Sequence, residues 1–202
     1  MATEKKVNKK SNKWLIIVSI SVLHILIIIK LFGFYISDKL PLGFLVELVA
    51  YGLYFVMLVV TFVVFLRLRN RKNLMLFLLH IIVLLMLMFI PFAKISTLIE
   101  FKLYHTEMEN VIDMVQLGKI ELKLSENGLL KLPEEYQYLS NGGGEIIVNK
   151  SATKFFFYSY RGLLDNFQGF YYSVDNYSGP DSLVDSYRSI ENIDEHWFFI
   201  TS

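Results

Sequence analysis

Three apolar runs fill most of the first 95 residues and restrict the fold more than any other feature: WLIIVSISVLHILIII (14–29), LGFLVELVAYGLYFVMLVVTFVVFL (42–66) and LMLFLLHIIVLLMLMFI (74–90). A helix needs about 20 apolar residues to cross a hydrocarbon layer about 30 Å thick. The second run meets that length outright. The first meets it if Lys30 carries its ammonium to the headgroups, so that LFGFYI extends the run. The third meets it if Phe92 and Ala93 are counted past Pro91. Lipid offers no hydrogen bonds to open backbone, so each run is expected to be helical. The stretch after the first run, GFYISDKL, lacks a small-x-small cleavage pattern, so that run reads as a retained anchor.

Charge is divided along the chain. Residues 1–13 hold five lysines and one glutamate, and RLRNRK at 67–72 is wholly basic among its charges. Residues 94–202 hold nine Lys/Arg against sixteen Asp/Glu. By the positive-inside rule, Lys5, Lys6, Lys9, Lys10 and Lys13, together with Arg67, Arg69, Arg71 and Lys72, face the cytoplasm. Three crossings then carry the acidic half outside. Trp14, Phe34 and Tyr35 sit where interfacial aromatics belong. The expected organisation is a basic cytoplasmic tail at 1–13, three transmembrane helices within 14–95 and an extracytoplasmic α+β domain over 96–202.

Ionisable residues inside spans are candidate functional groups. A hairpin centred on Asp38–Lys39 brings Lys30 and Glu47 to one depth, near the outer interface, where an ion pair can form. His24 falls near mid-membrane and His80 in the inner half of its helix. Proton relay would need acids beyond Glu47 along the path, and the runs have none. Thr61 is expected opposite His80, as its interhelical hydrogen-bond partner.

Pro91 ends or kinks the third helix. Beyond it, Leu98, Phe101, Tyr104, Met108, Val111 and Val115 recur at spacings of three and four, the stripe of an amphipathic helix that stops near Gly118. The repeat is too short for a coiled coil, so the stripe is expected to pack on a sheet. KIELKL (119–124) alternates strictly, and SENG before LLKL signals a hairpin. PEEYQYLS predicts a short helical turn, NGGGE a turn without the spacing or lysine of a phosphate loop, and EIIVNK a strand. KFFFYSYR and FQGFYYSV have a period of two and read as a β-hairpin. DNYSGPDSLVDSYRSIENIDE (175–195) reads as turn-rich and acidic, and HWFFIT as the last strand. One aromatic face of the hairpin supplies the core under the helix. Phe155, Phe157 and Tyr171, with the loop residues Arg161, Leu163, Leu164 and Phe167, form a candidate interaction surface.

The chain has no cysteine, which excludes disulfides, thiolate nucleophiles and cysteine zinc sites. Metalloprotease, serine-hydrolase, Walker and dinucleotide motifs are absent, so no catalytic residue, cofactor or metal is assigned. The sequons Asn149-Lys-Ser and Asn176-Tyr-Ser matter only in a eukaryotic secretory pathway, whereas residue usage leans toward a bacterial plasma membrane. The partners expected are the lipid bilayer and another membrane or cell-envelope protein, with no nucleic acid, because the basic segments lie against anionic lipid. These observations point to a membrane-anchored extracytoplasmic interaction or sensing module. The alternative is an accessory subunit of a transport or secretion assembly, with the spans as its working part.

Overall fold

The computed structural model describes residues 2–33, 43–125, 128–162, 166–174 and 187–202. The chain divides into two compact units, Met1–Ser96 and Thr97–Ser202.

The first unit is built on helices α1 (Ala2–Leu31), α2 (Gly43–Leu68) and α3 (Arg71–Phe89). The lysine-rich segment is helical and continuous with the first apolar stretch. Lys13–Leu31, Leu45–Leu68 and Arg71–Phe89 are each long and apolar enough to cross a bilayer. Helices α2 and α3 are joined at Arg69, in the left-handed region at φ 41°, and at Asn70. The Asn70 side chain accepts from the Asn73 amide at 2.9 Å and so caps α3. Leu23, Leu26, Ile29, Ala50, Tyr54 and Val83 form the centre of this unit. Large apolar side chains also point outward, Met88 and Phe89 being 70% and 79% exposed. A surface that apolar on a three-helix unit is what a lipid solvent would favour.

Helix α3 stops at Phe89 with Ile90 extended, and α4 (Phe92–Gln116) begins directly after Pro91. Proline cannot donate within a helix, so the chain breaks there and restarts. At the far end of α4 the Lys119 amide donates to Met114 O at 2.8 Å and the Gly118 amide to Val115 O at 3.1 Å, with Gly118 at φ +70°. That bonding is a Schellman cap, and its left-handed residue favours glycine.

The second unit packs α4 on one six-stranded antiparallel sheet. The strands are β1 (Leu129–Lys131), β2 (Glu145–Val148), β3 (Lys154–Arg161), β4 (Phe167–Ser173), β5 (Ser189–Asp194) and β6 (Trp197–Thr201), in the order β1-β2-β3-β4-β6-β5. A 3₁₀ helix, Glu134–Leu139, follows Pro133. Gly142, Gly143 and Gly144, all with positive φ, turn the chain into β2. Phe101, Met108, Val111, Ile112 and Val115 of α4 meet Leu130, Ile146, Val148, Phe155, Phe157, Phe170 and Trp197 of the sheet.

Two expectations about strands require correction. Residues 119–124 form no strand. Ile120, Leu122 and Leu124 still pack against the core while their neighbours face out, so the period of two reports an extended segment laid on the core without a ladder partner. The turn after it closes through Ser125, whose amide donates to Leu129 O at 2.9 Å; Glu126 and Asn127 lie outside the described residues. Conversely, SIENID belongs to no turn. It is β5, the strand beside β6 at the end of the sheet. Its residues are mostly exposed, so the apolar alternation that marks a half-buried strand is missing.

Candidate functional site

The hairpin β3–β4 carries the residues singled out from sequence. Its register pairs Phe155 with Tyr172, Phe156 with Tyr171 and Phe157 with Phe170. Two apolar layers result. Phe155, Phe157 and Phe170 face α4. Phe156, Tyr158 and Tyr171, with Ile200 of β6, form a separate cluster on the opposite face, and Leu129, Ile147, Phe167 and Phe198 pack beside them.

Phe155, Phe157 and Tyr171 are therefore not an accessible surface. Each is 0% exposed. Phe155 and Phe157 belong to the helix-facing core, and Tyr171 sits on the other face from them. The sequence showed two aromatic faces but not which of them the helix covers. Phe167 is half-buried, and it meets Phe156 edge-on at 5.7 Å between ring centres. Leu163 and Leu164 lie outside the described residues. Of the expected set, Arg161 remains exposed.

Arg161 stands at the loop end of β3 with defined partners. Its Nη1 lies 3.1 Å from Glu145 Oε2, and its guanidinium lies 5.0 Å from the centre of the Tyr158 ring. Burial pushes the Tyr158 phenol above the ordinary tyrosine range; Arg161 opposes this and Glu145 adds to it. Tyr160 beside it is 41% exposed. The glycine turn is fastened to the same end: the Asn141 amide donates to Tyr158 O, its side-chain amide donates to Ser159 O, and a Cβ on Gly142 would strike the Arg161 side chain. Tyr160, Arg161 and the turn thus form one rigid, accessible rim.

A bulge between Tyr158 and Tyr160 leaves Ser159 out of the ladder. The Ser159 hydroxyl donates to Glu100 Oε2 of α4 at 2.6 Å, and both residues are buried. The apolar stripe expected from sequence did not include Glu100. Yet Glu100 precedes Tyr104 by four residues and Met108 by eight, so the helical period already put it on the packed stripe, while Leu98 is exposed. Trp197 gathers Phe101 at 5.5 Å, His105 at 5.7 Å and Tyr172 at 5.1 Å between ring centres. His105 also faces Glu109 at 3.3 Å, one helical turn on.

In the first unit Lys30 Nζ lies 3.0 Å from Glu47 Oε2, which joins α1 to α2. The same ammonium stands 5.0 Å from the centre of the Tyr51 ring, a cation–π contact that the sequence reading did not include. His24 bonds within its own helix, its Nδ1 lying 2.8 Å from Ile20 O. Thr61 does not pair with His80. Its hydroxyl donates to Leu58 O in its own helix at 3.0 Å. The α2 residue that meets His80 is Tyr54, whose hydroxyl donates to the His80 carbonyl at 2.7 Å with the two rings stacked.

No group of three or more His, Cys, Asp or Glu side chains arranged to hold a metal occurs among the described residues. Asn149 of the first sequon is engaged by its own turn: its Oδ1 accepts from the Thr153 and Lys154 amides and its Nδ2 donates to Ser151 and Thr153. Asn176 lies outside the described residues. No protein-family model, curated protein or solved structure matches this chain.

Proposed function

We propose that this protein is a membrane-anchored extracytoplasmic interaction module, non-catalytic, which contacts another membrane or cell-envelope protein through the rim of its C-terminal sheet. Three apolar helices anchor it in a bacterial plasma membrane with the N-terminus in the cytoplasm. The two basic segments support that orientation, because an even number of crossings separates them and both then face the cytoplasm. The observation that carries the interaction reading is the rim of Tyr160, Arg161 and the turn at 141–144. Tyr160, Arg161, Gly142 and Gly143 are exposed there, the turn is held by hydrogen bonds rather than loosely tethered, and the rim offers an arginine and a tyrosine, residue types enriched at binding hot spots.

The test is site-specific photocrosslinking in intact cells. A crosslinker in place of Tyr160 is expected to capture a discrete partner that one in place of Lys123, on an exposed stretch away from the rim, does not. Crosslinks arising only from positions in α1–α3 would replace this reading with that of an accessory subunit acting through its spans.

A further inference from the structure

The centre of the three-helix unit contains polar groups whose bonding is incomplete. Ser19 of α1 and His80 of α3 are each 0% exposed, and neither Ser19 Oγ nor His80 Nε2 has a hydrogen-bond partner among the described residues. A buried polar atom without a partner is costly, most of all where the surrounding solvent is hydrocarbon. The two groups are complementary. His80 Nδ1 lies 2.9 Å from Leu76 O. A carbonyl only accepts, so Nδ1 carries a ring proton, and in the neutral imidazole Nε2 presents a bare lone pair. Ser19 offers a hydroxyl proton that needs an acceptor.

The helix register brings them to one level. The Lys30–Glu47 contact fixes α1 against α2, and counting back along the antiparallel pair sets Ser19 beside Leu58. On α3, His80 stacks on the ring of Tyr54 of α2, which packs with Leu23 and Val83 in the apolar centre. The apolar centre gives the same alignment: Ser19 lies one turn before Leu23 and His80 one turn before Val83, and both of those residues pack in it. Thr61 is on the same face of α2, 1% exposed, and its hydroxyl proton goes to Leu58 O, leaving its lone pairs available.

From this geometry we infer a membrane-embedded hydration site: one water molecule held between Ser19 Oγ and His80 Nε2. The water accepts from the serine hydroxyl and donates one proton to the imidazole lone pair. Its second proton is directed to Thr61 Oγ1. Three polar partners lie within the range that buried waters normally satisfy. The site ties all three helices into one register, which apolar packing alone specifies weakly in lipid.

The test uses the full chain in lipid nanodiscs with ¹⁵N-labelled histidine, the His80 signals being assigned from His80→Gln. His80 is expected as the neutral Nδ1–H tautomer, with Nε2 shifted by hydrogen bonding and its ring protons showing a cross-relaxation peak to long-lived water. Ser19→Ala is expected to abolish that peak and to lower Tm by about 2–4 °C, the shift a weak hydrogen bond gives at this chain length. In a His80→Leu background, Ser19→Ala is expected to leave Tm unchanged. An unbonded Nε2 in the wild-type chain overturns the inference, as does an equal effect of Ser19→Ala in both backgrounds. Coupling without a water peak also overturns it, in favour of a direct serine–histidine bond.

Discussion

At the residue scale, two positions hold the second unit to tight tolerances. A Cβ on Gly169 of β4 would collide with the Phe157 carbonyl and stand 2.8 Å from Phe156 Cζ. Strand backbone cannot yield without breaking its ladder, so Gly169→Ala is expected to destabilise by about 1–3 kcal/mol, the usual range for overpacking, measured by chemical denaturation of unit two. Ser159→Ala removes the hydroxyl that donates to the buried Glu100 carboxylate and is expected to cost about 1–3 kcal/mol. Lys30 and Glu47 differ from these because both side chains are partly exposed, 22% and 40%. Their coupling, taken from a Lys30→Met and Glu47→Gln double-mutant cycle in detergent, is expected near 1 kcal/mol or below. A coupling of zero would mean that each charge reaches the headgroups by itself.

At the element scale, the outcome turns on which face of β3 the helix covers. Phe157→Ala removes a fully buried ring from beneath α4 and is expected to cost about 3–5 kcal/mol. Tyr160→Ala, three residues on and exposed, is expected to stay within about 0.5 kcal/mol. Similar losses at both positions would contradict the two-layer arrangement. The strands also show what periodicity reports. Residues 119–124 and β3 alternate equally well, but only β3 has neighbours to complete a ladder. Alternation follows from one side of an extended chain being buried, and hydrogen-bond partners come from elsewhere in the sequence. SIENID is the converse case, a strand made by its partner β6 with little apolar pattern of its own.

At the scale of the whole molecule, charge and pH are the accessible handles. Burial, the largest cause at Tyr158, Tyr172 and Tyr138, raises each phenol above the ordinary value near 10; Glu109 and Asp113 add to this at Tyr172, and Glu107 and Tyr136 at Tyr138. A raised pKa means that the fold favours the neutral phenol. The stability it contributes is full below pH of about 10 and is lost as pH rises through the folded-state value. Alkaline titration is therefore expected to unfold unit two as tyrosinate absorbance appears. Tyr158→Phe should move that midpoint upward, since Tyr158 is the most buried of the three. The absence of cysteine gives a clean background for topology. In intact cells an impermeant maleimide is expected to label Lys150→Cys and to reach Lys72→Cys only after permeabilisation. The reverse pattern would invert the proposed orientation.

The three apolar helices, the break at Pro91, the amphipathic α4 with its glycine stop and the pairing of β3 with β4 could all be read from the residues alone. Each of these follows from local composition, from a period of two or 3.6, or from one residue's backbone limits, and all of that is written along the chain. The rest came with the assembled fold: that Phe155, Phe157 and Tyr171 are core, that β5 lies beyond β6, that Tyr54 and not Thr61 meets His80, and that Ser159 bonds Glu100. These depend on which distant segments come together and on the side from which they approach. A side chain's burial is a property of its neighbours, and its neighbours here are set by sheet order and helix register.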